Sequence, residues 1–183
     1  MIRSIVISGA MLPGPAALTG AERVEFDAVM PDLVIATDDP RASDVVRLLQ
    51  QHHEFALSCS PPEFVFALDV DGLEQPTVTF CSARRKGELL AVGALMELDP
   101  KHAEIKSMHT SGAARGQGVG AAMLEHLVHL ARQRGYERIS LETGSQLEYE
   151  PARALYARAG FRVCGPYAGY PDSGHSVFMA LML

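Results

Sequence analysis

Residues 103–130 contain a β-type run, a turn with three glycines and an amphipathic helix in immediate succession, which constrains the fold more than any other stretch. The glycines stand at alternate positions, Gly116, Gly118 and Gly120. A glycine turn that opens a helix exposes backbone N–H groups and the positive end of the helix dipole to an anion, since no Cβ atom blocks the approach. Arg115 adds a guanidinium suited to phosphate. We therefore predict that this turn binds a pyrophosphate.

Two ligand classes carry such a pyrophosphate. The run Gly116–Ala121 also matches G-x-G-x-x-A, the dinucleotide-binding fingerprint, with Glu142 as the acid that would contact the ribose. However, only about one further strand–helix unit fits after the turn, which is too little for a doubly wound domain. A helix start without any ligand is the third interpretation.

Composition and charge narrow the function classes. The chain has 183 residues with 48% hydrophobic content, enough for one well-buried domain. Its net charge is −6 with no block of like charges, so neither nucleic acid nor an anionic membrane is an expected partner. No apolar run approaches the roughly 18 residues of a membrane helix. The three cysteines lack C-x-x-C spacing, which favours reduced thiols in a cytoplasmic protein without a disulfide or metal site.

Residues 1–30 differ from the remainder, because prolines and glycines interrupt short apolar runs there. They lack the positive start and long apolar core of a secretory signal. We expect a flexible N-terminal extension over 1–30, without a role in function, and a single domain over 31–183.

Strand and helix patterns alternate along that domain. The predicted strands cover residues 33–36, 77–83, 89–96, 104–110, 137–143, 161–164 and 176–183. The predicted helices cover 44–57, a short segment from Pro62 to Leu68, the segment after the glycine turn, and 151–160. The cationic turn Arg84–Glu88 is expected to be solvated. Residues 104–110 and 137–143 flank a helix, so they should form a parallel pair through a right-handed crossover.

Two motifs resemble those of the GNAT (Gcn5-related) N-acetyltransferases. Arg115-x-x-Gly118-x-Gly120 is similar to that family's acyl-CoA signature Q/R-x-x-G-x-G/A, and residues 152–161 (ARALYARAGF) are similar to its A-x-x-L-Y…G-F helix and strand. Further blocks, in one order, resemble a bacterial subgroup of YsnE-type acetyltransferases: residues 60–63, 104–108, 141–145, 151–153 and 176–179.

The resemblance implies an α/β (α+β) GNAT fold, with a central mixed, mostly antiparallel twisted sheet and helices on both faces. The fourth and fifth strands of that fold, here 104–110 and 137–143, are its parallel pair. It also implies an acetyl-CoA-dependent N-acetyltransferase that uses no metal and acts on a primary amine of a small molecule or peptide, by direct attack in a ternary complex. The acceptor and the assembly, including a homodimer, stay open. A non-catalytic acyl-CoA-binding regulatory module is the alternative function.

The resemblance further implies which residues form the site. Glu104 lies where some members carry a catalytic glutamate, and it would be a base or only an electrostatic anchor for the amine; His109 is the other candidate base. Tyr156 matches the tyrosine that often protonates the leaving thiolate. Tyr149 departs from the family, because many members have a cofactor-contacting asparagine there. The residues expected to bind the cofactor are Met108, His109, Thr110, Arg115, Gly116, Gln117, Gly118, Val119 and Gly120.

The loop Ser58–Pro62 precedes the predicted short helix. In GNAT proteins the segment between the first two helices forms a wall of the acceptor site. By resemblance, this loop and the short helix from Pro62 to Leu68 are the candidate for substrate selection, and a plain connector is the alternative.

Overall fold

The computed structural model describes residues 24–25 and 30–183. Their strands are β1 (Val24–Glu25), β2 (Leu33–Thr37), β3 (Val78–Arg85), β4 (Glu88–Asp99), β5 (His102–Thr110), β6 (Arg138–Gly144), β7 (Arg162–Cys164) and β8 (Ser176–Met182). Their helices are α1 (Ser43–Cys59), α2 (Val70–Leu73), α3 (Val119–Gln133) and α4 (Glu150–Arg158). The strands form one sheet in the order β1-β2-β3-β4-β5-β6-β8-β7.

Strands β5 and β6 are parallel, while every other neighbouring pair in this sheet is antiparallel. This confirms the predicted mixed sheet with its crossover through α3, and it excludes a doubly wound dinucleotide domain, which needs a mostly parallel sheet. The parallel pairing joins His102 to Arg138 and ends where Ile105 meets Leu141. Beyond these residues the two strands diverge.

Alternation along β4 explains why both faces of the sheet carry helices. Val92 and Ala94 belong to a buried cluster with the apolar side of α1, whereas Ala91 and Leu95 belong to the larger cluster under α3. The stripe predicted for α3 is confirmed, because its core-facing residues are buried. They include Leu124, Leu127, Val128 and Ala131.

The hairpin between β3 and β4 is tighter than predicted. Strand β3 continues through Arg84 and Arg85, and the turn consists of Lys86 and Gly87, whose φ values are 50° and 85°. Two left-handed residues give a hairpin turn the twist of its strands. The solvated turn was also a wrong expectation for Arg84, whose guanidinium lies 2.8 Å from Asp38 and 2.6 Å from Asp44.

The helix predicted from Pro62 to Leu68 is shorter in the structure. Only Pro62–Phe64 form a single 3-10 turn, and the following backbone leaves the helical conformation at Val65. A separate helix, α2, begins after Asp69, whose carboxylate accepts a hydrogen bond from the Gly72 N–H at 2.8 Å. This N-cap starts a new helix just beyond the end of the predicted one.

Most of the predicted N-terminal extension, 1–30, lies outside the described residues. Of the parts that are described, β1 pairs antiparallel with β2, and Met30 packs against the larger core cluster. The domain boundary at residue 31 therefore stays a prediction. In the described part of the chain, no helix is both long and apolar enough to span a bilayer.

Candidate active site

A cavity of about 670 Å³ opens where β5 and β6 diverge. The glycine turn (Arg115–Gly120) borders one part of it, and α1 with the loop 60–67 borders another. Gln117 does not line the cavity; its side-chain amide donates to the Ala113 carbonyl at 2.7 Å. The other residues expected to bind the cofactor do line it: Met108, His109, Thr110, Arg115, Gly116, Gly118, Val119 and Gly120.

The glycine turn leaves the N-terminus of α3 without a side-chain cap. Gly118 is the N-cap residue with a φ of 83°, and no side chain bonds to the helix start there. A Cβ atom on Gly120 would lie 3.1 Å from the Thr110 hydroxyl, so the glycine lets the helix begin close against the end of β5. The exposed Arg115 donates from Nε to the Thr110 carbonyl at 3.3 Å. The partial positive charge of a four-turn helix therefore lies at the cavity.

A bulge in β5 orients the strand end beside the cavity. Val92 pairs with His109 and Ala94 with Lys106, so two residues, Ser107 and Met108, lie opposite one. Ser107 has a φ of 50°, which is strained for a non-glycine residue in a strand. Because β6 has already diverged, Met108–Thr110 do not pair with it. Their backbone edge is thus available to a ligand in the cavity.

Tyr156 projects from α4 into this region and is 7% exposed. Its hydroxyl lies 4.0 Å from the Met108 sulfur. Burial raises the pKa of Tyr156 above its ordinary value, and the negative charge of Glu142 adds to the increase. The phenol is therefore protonated at neutral pH.

Glu104 lies beneath the cavity and does not line it. Its side chain is 1% exposed and accepts a hydrogen bond from the Tyr170 hydroxyl at 2.7 Å. Lys106 lies 3.4 Å from the same carboxylate and donates to the Tyr170 oxygen at 2.6 Å. We call these three residues the Glu104 cluster. Because Lys106 lines the cavity, it links the buried carboxylate to that space.

Glu142 is a carboxylate that does line the cavity. It follows Leu141, the last β6 residue that pairs with β5. Burial raises the pKa of Glu142 above its ordinary value, and the neighbouring Ser176 hydroxyl and the charge of Lys106 oppose part of that increase. From the sequence, Glu142 is expected only as a possible ribose contact. The signal that could have placed it at the cavity is a charged residue directly after the buried run Ile139–Leu141.

His52 and His109 both line the cavity and their rings contact each other, with ring centroids 5.1 Å apart. Desolvation lowers the pKa of each ring to about 4. Both imidazoles are therefore neutral near pH 7, and neither is basic enough to hold an amine's proton there. A base role for His109 thus has little support from its surroundings.

Three phenylalanines form an apolar wall, and each ring contacts a second aromatic ring. Phe55 meets Tyr149 edge-on at 5.1 Å, and Phe66 meets Tyr170 edge-on at 5.0 Å. Phe64 stacks on His175 at 4.6 Å. The loop 60–67 thus lines the cavity and is connected to the loop between β7 and β8.

Tyr149, which stands in place of the family's asparagine, lies against the end of β6. A Cβ atom on Gly144 would overlap the Tyr149 ring, so this ring position depends on the glycine.

Among the described residues, no three His, Cys, Asp or Glu side chains are grouped to hold a metal ion.

Comparisons with known proteins place these features in context. The sequence model described as Acetyltransferase (GNAT) family matches residues 44–161. The N-acetyltransferase YsnE of Bacillus subtilis, itself uncharacterized, is 46% identical over 149 residues, which are 81% of this chain and 99% of YsnE. A candidate acyl-CoA N-acyltransferase of Klebsiella pneumoniae has a TM-score of 0.71 at 28% identity, over 82% of this chain and 97% of that one. A GNAT acetyltransferase of Elizabethkingia anophelis, solved with acetyl-CoA bound, has the same fold with a TM-score of 0.62 at 17% identity, over 84% and 100%.

Proposed function

The chain belongs to the acetyltransferase (GNAT) family, and from this premise we propose that it transfers an acetyl group from acetyl-CoA to a primary amine by direct attack in a ternary complex. The observation that carries the proposal is the cavity that extends from the uncapped N-terminus of α3 into the gap between β5 and β6. The diphosphate of acetyl-CoA would bind the N–H donors of the glycine turn at one part of this cavity. The acceptor would enter from the part lined by α1 and the loop 60–67.

The glycine turn would bind the diphosphate through its main-chain N–H groups, with Arg115 as an additional donor. The unpaired edge of Met108–Thr110 would bind the pantetheine arm through backbone groups. One N–H of this edge would also stabilise the negative charge that develops on the thioester carbonyl oxygen. Acetyl-CoA supplies the activated acetyl group; the chain supplies its orientation.

Tyr156 would protonate the leaving thiolate. Its hydroxyl lines the cavity beside Met108, and its raised pKa keeps the proton in place until a thiolate forms nearby. This is general acid catalysis by a phenol.

The acceptor must lose a proton, because an amine with a pKa of about 10.4 is about 99.9% protonated near pH 7. We keep Glu104 as the proposed base. From its buried position it would receive the proton through Lys106, either directly or by way of the Tyr170 hydroxyl. The alternative is that Glu104 only anchors the amine electrostatically.

An assay of free CoA release with a panel of amines and peptides tests the proposed function. An enzyme releases CoA in proportion to added amine, whereas a non-catalytic module binds acetyl-CoA in calorimetry but releases none with any acceptor. Amine-independent CoA release would contradict direct transfer to an amine, because it would indicate hydrolysis.

A further inference from the structure

Resting on the proposed acetyl transfer, we infer that the acceptor is a small monocationic arylalkylamine. Its ammonium would bind the carboxylate of Glu142, and its flat apolar body would pack against Phe55, Phe64 and Phe66. We call this part of the cavity the acceptor pocket. The inference depends on the charges in the pocket and on its aromatic wall.

The charges in the acceptor pocket sum to about one negative charge. Lys106 and Glu104 are 7% and 1% exposed and form an ion pair, so their charges cancel locally. His52 and His109 are neutral near pH 7, since the pKa of each is about 4. Because Lys106 is already paired with Glu104, it only partly balances the charge of an ionised Glu142. A single ammonium bound there would supply the missing positive charge.

The other charged residues that line the cavity do not change this balance. Arg115, Glu148 and Arg158 are exposed, so solvent and salt screen their charges. Arg115 also belongs to the glycine turn, where the diphosphate would neutralise it. The unmatched charge within the pocket is thus that of Glu142.

The aromatic wall favours a flat apolar group next to the ammonium. Phe55, Phe64 and Phe66 are only partly buried, so each keeps ring surface that a ligand can cover. Each ring is also held by its aromatic neighbour, Tyr149, His175 or Tyr170 respectively. A wall that is already ordered loses little side-chain entropy on binding.

Other amine classes fit the acceptor pocket less well. A diamine or polyamine would place a second ammonium among phenylalanine rings, with only the exposed Glu148 as a further carboxylate in the lining. An amino acid would bring a carboxylate, but the Lys106 ammonium already binds Glu104 and Tyr170. An amine with a plain alkyl chain would bind Glu142 through its ammonium but would bury less of the phenylalanine surface.

Steady-state CoA release tests this with four matched acceptors: 2-phenylethylamine, butylamine, 1,4-diaminobutane and phenylalanine. We expect kcat/KM for 2-phenylethylamine to exceed each of the others by about tenfold or more. A preference for phenylalanine, the diamine or butylamine would overturn the inference. If no acceptor releases CoA, the proposed function fails, and calorimetric binding of the same four amines to the CoA-loaded protein then decides the inference separately.

Two variants locate the pocket. Glu142→Gln should raise KM for 2-phenylethylamine by about tenfold or more, because a neutral amide does not balance an ammonium, while calorimetry finds acetyl-CoA affinity unchanged. Phe66→Ala should reduce the preference for 2-phenylethylamine over butylamine. Glu150→Gln, an exposed carboxylate at the start of α4, is the control and should change neither value. An unchanged KM in Glu142→Gln would refute the pocket.

Discussion

At the residue scale, two side chains proposed for catalysis differ in how they reach the cavity. Tyr156 lines it directly, whereas Glu104 does not line it and is linked to it through Lys106. Their substitutions should therefore have different consequences. Loss of a phenol hydroxyl changes one proton transfer, but loss of the Glu104 charge leaves an unbalanced cation in a buried cluster.

Tyr156→Phe should lower kcat by about 100-fold, because general acid catalysis of this kind contributes at least that much. Acetyl-CoA binding should be nearly unchanged, since the ring and its packing are kept. Steady-state kinetics and calorimetry on the same preparation measure the two quantities. Equal turnover in the variant would remove Tyr156 from the mechanism.

Glu104→Gln should destabilise the fold by about 3 kcal/mol, because Lys106 would keep its charge without a buried partner. The double variant Glu104→Gln with Lys106→Met should recover most of that loss, as measured by urea denaturation. If Glu104 is the base, the double variant should be nearly inactive near pH 7 and should gain rate as the pH approaches the amine pKa of about 10.4, where the free amine needs no base. Full activity in the recovered double variant would assign Glu104 a purely structural role.

Gly118→Glu should weaken acetyl-CoA binding by about tenfold or more, because it adds a carboxylate where the diphosphate is expected and forces a side chain into a left-handed backbone. Gly118→Ala is the control, since it introduces the same backbone strain without the charge. Calorimetry should show a much larger loss for the glutamate. Equal affinities in the two variants would argue against a diphosphate at this turn.

At the element scale, the site depends on places where regular pairing ends. The parallel pairing of β5 and β6 stops at Ile105 and Leu141, and a bulge at Ser107 shifts the rest of β5. If β5 and β6 stayed paired beyond these residues, their backbone groups would hydrogen-bond to each other and no cavity would form between them. The irregularity is what leaves backbone groups of Met108–Thr110 for a ligand.

The end of β6 offers a test of this arrangement. Gly144→Ala should destabilise the protein by about 1–3 kcal/mol, because the added Cβ atom would overlap the Tyr149 ring. Combining it with Tyr149→Ala should cost less than the sum of the two single variants, since the overlap with the ring disappears and only the Gln146 side-chain oxygen stays close to the added Cβ atom. A double-mutant cycle from urea denaturation gives the coupling. Simple additivity would mean that the ring moves aside freely.

At the scale of the whole molecule, two neutral histidines couple stability to pH. The pKa of His52 and of His109 is about 4 in the folded chain and about 6.5 when unfolded, so the unfolded state binds more protons between these values. Stability should therefore fall as the pH is lowered from about 6.5 to 4, by up to about 1.4 kcal/mol per pH unit for each histidine.

Urea denaturation at several pH values measures this slope. His52→Gln should make the dependence shallower by removing one of the two groups. His53→Gln, at an exposed neighbour that only adds to the lowering of the His52 pKa, should change it much less. A slope that is the same in both variants would show that His52 does not contribute.

Much of the fold follows from local patterns in the sequence. The period of α3, the alternating strands and the glycine turn are each specified by a few neighbouring residues, and the structure agrees with them. Predictions failed where a contact distant in sequence decided the outcome. Arg84 meets Asp38 and Asp44 rather than solvent. The helix predicted from Pro62 to Leu68 is a different case, because its backbone becomes extended locally, at Val65.

By itself, the sequence determined the family, the crossover and the turn expected to bind a diphosphate, because these depend on backbone conformation and on spacing within short segments. Only the tertiary structure decided which carboxylates face the cavity. Glu104 and Glu142 both lie on strands with similar neighbours, yet Glu104 is buried against Tyr170 and Glu142 lines the space. That difference arises because β5 and β6 diverge and because the loop that carries Tyr170 packs against Glu104. Both features depend on segments that are distant in the sequence, so the residues next to Glu104 and Glu142 do not predict them.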